Sequence, residues 1–330
     1  MSLEVSGLSK AYGSGPERIQ ALDGVSFSVA PGEVVALVGN NGAGKSTLMS
    51  IVAGLLACDA GTVHVMGHET TAGRGSPTRH LGLAPQEESV YPTLTVRRNL
   101  VYFGRLAGLG AEGLDERLEE LASELLLEDL LERRARDLSG GQRRRLHTAL
   151  ALMHSPEVLL LDEPTVGVDL DADAAARFRA RHSGRGAAVL YSTHQMGEVE
   201  QIATRAVILH RGRVLAQGRV EDLVGLHAAT SAELRFASRH VEMPVTGPGS
   251  PEAVHRTRSG DTVVSLRLED EQVPVAELVA ALPEHLQEVL VSVEVHRPSF
   301  ERAYLSLVRA VEGPQPLAGA GPEPPAEVAS

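Results

Sequence analysis

The run Val34-Val35-Ala36-Leu37-Val38 leads without a break into Gly39-Asn40-Asn41-Gly42-Ala43-Gly44-Lys45-Ser46-Thr47. Five consecutive apolar residues rich in valine predict a strand buried on both faces. The second part fits G-x-x-x-x-G-K-[ST], and residues 45–55 continue as a helix. Each residue type has a physical reason to be there. Glycines let backbone amides converge on an anion with no Cβ in the way. A helix beginning at that point adds roughly half a positive charge. Lys45 would reach β and γ phosphates, and the Ser46 hydroxyl would face Mg²⁺. An ordinary glycine turn before a helix is the plainer alternative, and the strand–loop–helix context speaks against it.

Working outward, a second apolar strand, Val158–Leu161, ends in Asp162-Glu163. A buried strand of this kind can present Asp162 to Mg²⁺ at the carboxyl edge of its sheet. Glu163, one residue on, is placed to orient or deprotonate an attacking water. Alone, such a pair is more simply a solvated turn; beside a phosphate loop the chemical reading gains. A third element, Leu138-Ser139-Gly140-Gly141-Gln142, precedes a predicted helix over Gln142–Met153. It reads as another anion-receptive helix start, or merely as a helix capped by Ser139.

Val25–Val29 and Ala187–Tyr191 read as further strands. Leu118, Leu121 and Leu125 recur at helical spacing within a mostly helical stretch, 87–154. Strands alternating with helices imply a three-layer α/β domain with a mainly parallel sheet, in which ligands sit beyond the carboxyl ends of the strands. Val207–Leu209 and Val214–Ala216, joined at Arg211-Gly212, predict a hairpin closing this domain near residue 224. Beyond it, Ala232–Ala237, Val263–Leu268 and Val289–Val295 alternate like strands, while Val275–Leu282 and Phe300–Val311 look helical. These predict a small α+β domain over 225–312. The Pro-, Gly- and Ala-rich residues 313–330 predict a disordered tail.

Apolar residues make up 43% of the 330, and aromatics only 3% with no Trp, so the core must be built from Leu, Val and Ala. A formal net charge of -12 argues against a non-specific nucleic-acid binder, although Arg143, Arg144 and Arg145 form a local basic patch. The single cysteine, Cys58, cannot close an internal disulfide, which suits a reducing compartment. The opening residues hold no apolar signal core, and the apolar runs are strand-sized, far short of the roughly 20 residues that span a bilayer. These features predict a cytoplasmic chain, with any membrane part supplied by others.

Together the motifs resemble those of the ATP-binding-cassette (ABC) ATPases. They are GNNGAGKST at 39–47, Gln86 in LAPQ, LSGGQ at 138–142, LLLDEPT at 159–165, GVD at 167–169 and STH at 192–194. They keep that family's order, and the resemblance covers roughly residues 3–222. It implies an α/β fold, a P-loop NTPase three-layer core over 1–224. A helical subdomain of about 87–154 would carry the signature motif, and the small C-terminal domain would be appended. It also implies ATP and Mg²⁺ as cofactors and in-line attack of water on the γ-phosphate, with Glu163, His194, Gln86 and Lys45 at the reacting group. Gly39, Asn40, Asn41, Gly42, Ala43, Gly44, Lys45, Ser46 and Thr47 would wrap the phosphates, and Tyr12 would stack on adenine. Ser46, Gln86 and Asp162 would meet Mg²⁺. Ser139, Gly140, Gly141 and Gln142 would close over nucleotide held by a second ATPase subunit, with Asp169 at the subunit contact. One cassette per chain then predicts a dimer, identical subunits being the simplest case, with two shared ATP sites.

DEPTVGVD at 162–169 and VEVHRPSFERAYLSLV at 293–308 look like the ATPase subunits of drug, antibiotic and polysaccharide exporters of the daunorubicin-resistance type. Their closing pattern, P-S-x-E-x-x-[FY], is matched by Pro298, Ser299, Glu301 and Tyr304. Phe300, Tyr304 and Leu307 could equally form the apolar stripe of a packing helix. Leu170 stands where a Pro often follows the family's Asp, and Asp171–His182 is unusually Ala- and Arg-rich. An importer ATPase, a soluble cassette of translation or DNA maintenance, and a non-catalytic regulator are the competing readings. Members of the translation type carry two cassettes, members of the DNA type insert a long coiled coil, and a regulator would lack Glu163. The expected role is therefore transport, through an integral membrane permease subunit and on the inner face of the membrane. The surface around Gln86–Leu94, with its apolar Val90, Tyr91 and Leu94, is the expected docking site for a short cytoplasmic helix of that subunit.

Overall fold

The computed structural model describes residues 1–70, 79–86, 89–163, 186–238, 241, 249–257, 259–268 and 273–312. Asp169 and the rest of 164–185, residues 87–88 of the helical segment and the tail 313–330 lie outside the described residues. The chain divides into two compact units, Met1–Val220 and a second from Glu221 onward.

In the first unit, β3 (Val34–Val38) is the strand read from the apolar run, and every residue of it is buried. It lies between β8 (Ala188–Thr193) and β9 (Arg205–His210), parallel to both. Next to β8 runs β7 (Val158–Asp162), and beyond it β6 (Leu81–Ala84), again parallel. Among the described residues, β10 (Arg213–Arg219), the second strand of the foreseen hairpin, is the one antiparallel strand in this sheet of order β10-β9-β3-β8-β7-β6. Strands buried on both faces need helices on both sides, which is why these runs are continuously apolar.

A separate antiparallel sheet, order β2-β1-β4-β5, uses β1 (Leu3–Tyr12), β2 (Ile19–Val29), β4 (Ala60–Val65) and β5 (His68–Glu69). Leu3, Val25 and Val63 from this sheet join Leu48 and Val52 of α1 (Lys45–Val52) and Leu37, Leu160 and Leu190 of the parallel sheet in one core. Fully burying a side chain of this kind contributes about 1.5–3 kcal/mol. Neither β1 nor β4 is legible by periodicity. In β1 the register shifts between Val5 and Leu8, where Gly7 takes φ +59°, so the alternation breaks at a bulge. Helix α1 stops short of the expected Leu55, because Gly54 adopts φ +72° just past its end.

The middle segment holds α2 (Val96–Leu106), α3 (Ala111–Glu124) and α4 (Gly140–Leu152). Helix α4 packs on β6 and β7. Among the described residues, no helix is long and apolar enough to cross a membrane.

In the second unit, β11 (Ser231–Phe236), β12 (Gly249–Arg256), β13 (Thr262–Leu268) and β14 (Leu290–His296) form an antiparallel sheet of order β12-β13-β11-β14. Its apolar face, including Leu234, Phe236, Val264 and Leu266, packs against Leu278, Leu282 and Leu286 from the segment of two short helices. The Pro298–Tyr304 pattern opens the last helix, Phe300–Glu312: the Ser299 hydroxyl accepts from the Arg302 amide at 3.4 Å, and Phe300 and Tyr304 are buried. This short motif therefore has a structural task of its own, starting and seating a helix.

Candidate active site

Parallel strands β3, β8, β7 and β6 all deliver their carboxyl ends to one edge of the sheet. The residues just past those ends, Gly39, His194, Glu163 and Gln86, are therefore neighbours although distant in sequence.

The Gly39–Gly44 loop is shaped by what crowds it. Gly44 is the N-cap of α1 at φ +106°, and a Cβ there would stand 2.5 Å from the Ala21 carbonyl oxygen. At Gly39 a Cβ would strike the Leu209 carbonyl oxygen. These glycines are required by backbone geometry and by close approach, not merely by flexibility. Lys45 is only 6% exposed, and its Nζ donates to the carbonyl oxygens of Gly39 (2.6 Å) and Asn40 (3.4 Å). Burial pushes its pKa down, and the charges of Glu163 and Asp162 pull it back up. Lys45 and the carboxylates thus share one field. Ser46 and Asn40 are exposed beside it, and Thr47 is half-buried.

Asp162 is buried, with Oδ1 accepting from the Ser192 hydroxyl at 2.5 Å. Glu163 comes next with φ +50°, a left-handed conformation uncommon for a residue with a side chain. Its amide donates to the Ser192 carbonyl oxygen (3.1 Å) and lies 2.9 Å from the Ser192 hydroxyl oxygen. The carboxylate receives Nε2 of Gln86 at 3.5 Å and faces Nδ1 of His194 at 3.2 Å. Such a carboxylate, flanked by an amide and an imidazole at a sheet edge, can hold and polarise a water. Gln86 and His194 are both exposed, on the open side of this cluster.

Two expected groups stand apart from these bonds. Tyr12, at the end of β1, is 43% exposed; its hydroxyl lies 3.3 Å from that of Thr47, and Lys10 Nζ lies 5.9 Å from the ring centroid. That leaves an aromatic face beside the phosphate loop. Ser139 caps α4 reciprocally with Gln142: the Ser139 amide donates to Gln142 Oε1 at 2.9 Å, and the Gln142 amide to Ser139 Oγ at 3.3 Å. The capping reading holds, and capping uses the hydroxyl as acceptor, which leaves its proton available to be donated outward.

Two residues of the site are not singled out by sequence reasoning. Ser192 enters there only as part of STH; a polar residue buried within an otherwise apolar strand is the signal that could have found it. Arg144 belongs by sequence to a basic surface patch, but it is 3% exposed and bonds four backbone carbonyls of this edge. No group of three or more His, Cys, Asp and Glu suited to a metal occurs among the described residues. A single buried carboxylate with a nearby serine hydroxyl fits instead a cation whose other ligands are phosphate and water oxygens, the habit of Mg²⁺.

A glycine phosphate loop on a parallel sheet, with a carboxylate pair at the end of β7, two strands away, defines a phosphate-loop ATPase cassette. Residues 22–166 match the family model described as ABC transporter. The linearmycin resistance ATP-binding protein of Bacillus subtilis is 31% identical over 92% of this chain and 97% of its own length. The Nod factor export ATP-binding protein I of Rhizobium meliloti is 34% identical over 83% and 81%, and a daunorubicin resistance ATP-binding protein of Streptomyces coeruleorubidus 39% over 67% and 69%. A dimeric ATP-binding cassette in a post-hydrolysis state, bound to ADP and Pi, superposes with a TM-score of 0.60 at 25% identity, covering 66% of this chain and 98% of that one. The chain belongs to the ABC transporter family, as an ATPase that binds and hydrolyses ATP.

Proposed function

We propose that this chain is the motor subunit of an exporter of a drug, antibiotic or other hydrophobic or polymeric compound. Its partners would be a second ATPase subunit and a separate membrane permease, and it would sit on the inner face of the membrane. The observation that carries the reading is the convergence of Lys45, Asp162, Glu163, Gln86 and His194 on one sheet edge. The export direction is supported by relatives named for export and for drug resistance, one of them similar over nearly its whole length.

In this reading Lys45 and the loop amides neutralise the β and γ phosphates. Asp162 and Ser46 would hold Mg²⁺, which supplies charge neutralisation to the phosphates when bound. Glu163 aligns the attacking water, Gln86 and His194 bracket it, and Tyr12 stacks on adenine. Ser139 and Gly141 meet nucleotide held by the other subunit, so ATP joins two cassettes and hydrolysis releases them. The cassette domain would end near residue 224, with 225–312 as an accessory domain.

An exposed apolar surface beside Gln86 suits a short cytoplasmic helix of the permease. Tyr91 and Tyr102 pack edge to face with centroids 5.0 Å apart, and Leu55 and Leu106 are 70% and 71% exposed. A cavity of about 680 Å³, lined among others by Leu83, Pro85, Phe103 and Leu109, opens there. Leu94, by contrast, is half-buried, so within the expected Gln86–Leu94 surface the exposed apolar area is carried by Tyr91 and continues onto helix α2 at Tyr102. A photo-crosslinker at position 91, with crosslinking carried out in cells that make the chain naturally, should capture an integral membrane chain. Crosslinks confined to soluble proteins would reject the docking surface.

A further inference from the structure

Three arginines come just after the signature segment, and they go three ways. Arg143 Nη1 donates to the Leu138 carbonyl oxygen at 2.9 Å. Arg145 Nη1 donates to the carbonyl oxygens of Leu125 (3.4 Å) and Leu126 (3.2 Å), within the helical segment. Arg144 turns inward. Its Nη1 donates to the carbonyl oxygens of Pro85 (3.1 Å) and Gln86 (3.2 Å), and its Nη2 to those of Glu163 (2.8 Å) and Asp162.

These carbonyls lie where the sheet runs out. The β6–β7 ladder ends at the pair Ala84 and Leu161, so the peptides just beyond it have no ladder partner between these strands. Buried backbone acceptors must be paired somewhere, and a planar guanidinium with a fixed fork spreads its donors over two Nη groups and can serve two strand ends at once, a reach that the single ammonium of a lysine lacks. Glu163 gains most from this. Its left-handed backbone, φ +50°, is held on the amide side by Ser192 and on the carbonyl side by Arg144. A conformation of this kind persists only when its surroundings over-determine it. His147, one turn along α4 and buried, has its pKa lowered to about 4 by burial and by the charge of Arg144, so it adds no competing cation at neutral pH.

We infer that Arg144 is a positioning residue for hydrolysis: one guanidinium sets Gln86 and Glu163 in register and ties both to the helix that begins at Ser139. This rests on the roles proposed for Glu163 and Gln86. The consequence is mechanical. Movement of α4, whose start would engage the other subunit's nucleotide, is transmitted to the water-aligning carboxylate without touching the phosphate loop.

The test is steady-state ATP hydrolysis by the full chain carrying Arg144→Met, Arg144→Lys or Arg145→Met. Misplacing a reacting group by about 1 Å can cost on the order of 100-fold. Arg144→Met should lower kcat by about 10–100-fold with KM for ATP changed less than about 3-fold, and Arg144→Lys, able to reach one strand end, should recover part of it. Arg145→Met should keep kcat near that of the parent chain. In a Glu163→Gln background, adding Arg144→Met should lower the residual rate by less than about 2-fold, because the residue it acts through is already disabled. An unchanged kcat in Arg144→Met, or multiplicative losses in the double variant, overturns the inference. Should Arg144→Met fail to fold, Arg144→Lys decides, and a parental kcat there is equally fatal. If instead Glu163→Gln itself retains full turnover, the proposed function falls first, and this outcome is separate from failure at Arg144.

Discussion

Helices α1 and α4 both begin at glycine-rich turns with amides free to meet an anion, yet their surroundings differ. At α1 the N-cap is Gly44 with no side-chain cap, and Lys45, Asp162 and Glu163 gather round it within one chain. At α4 the exposed Ser139 caps its own helix through Gln142, and its first turn holds no acidic residue. One helix start is enclosed by the groups needed for phosphate chemistry; the other offers donors without a metal carboxylate or ammonium alongside. The lesson is that similar glycine–helix signals can stand in chemically different surroundings, which the neighbouring strands set.

That contrast can be broken most sharply at Glu163. Glu163→Gln should cut turnover by about 100- to 10,000-fold while ATP binding survives, and size-exclusion chromatography with ATP should show an accumulated dimer. Turnover at the parental rate would remove the chemical distinction between the two helix starts.

The next effect concerns how α4 is anchored. His147 titrates near 4 in the fold against an ordinary value of about 6.5. The unfolded chain therefore binds more protons than the fold between those limits, and stability must fall as pH drops through that window. At pH below 4 the accumulated loss from this group is roughly 3 kcal/mol. His154, lowered mainly by burial, adds in the same direction. Denaturant titrations of His147→Leu against pH should show a shallower acid slope than the parent; identical slopes would remove His147 as the cause.

Gly44 and Gly140 sharpen the comparison at the backbone. Gly44→Ala meets both the Ala21 carbonyl oxygen and a left-handed φ, whereas a Cβ at Gly140 meets nothing within 4 Å. The first should cost roughly 1–3 kcal/mol of stability and lower the melting temperature without nucleotide; the second should leave it level or raise it. Equal shifts would mean that the two turns are under the same constraint.

The smallest effect is at Ser139. Ser139→Ala loses a helix cap worth about 1 kcal/mol, and turnover should fall about 10-fold, on the scale of one charge-assisted hydrogen bond, with ATP affinity of the isolated subunit unchanged. Ser139→Asp should restore the cap and the melting temperature but not turnover, since its charge repels phosphate. Recovery of activity with Asp would show that capping is the whole task of Ser139.

Much of this is readable from the sequence because each motif carries local instructions. Val34–Val38 specifies a doubly buried strand by composition alone, and Gly39–Ser46 specifies a phosphate loop after it, since glycine and lysine at that spacing have few other uses. Leu118, Leu121 and Leu125 announce their helix by period, and all three are buried. In the first unit's antiparallel sheet the Val25–Val29 part of β2 is readable, but β1 carries a bulge at Gly7 and β4 is short and half polar, so neither of these shows a clean alternation. Arg144 is illegible because nothing in a run of three arginines says which one points inward.

Sequence alone therefore determined the ATP-binding chemistry: the residue types, their order and their places at strand ends derive from local backbone and charge requirements. Tertiary structure alone decided adjacency. The order β10-β9-β3-β8-β7-β6 brings Gln86, Glu163 and His194 within hydrogen-bonding reach, and it sends Arg144 to carbonyls up to 59 residues away in the chain. Such contacts depend on strand pairing and on a helix packed across it, both of which arise from burial summed over the whole core rather than from any single segment.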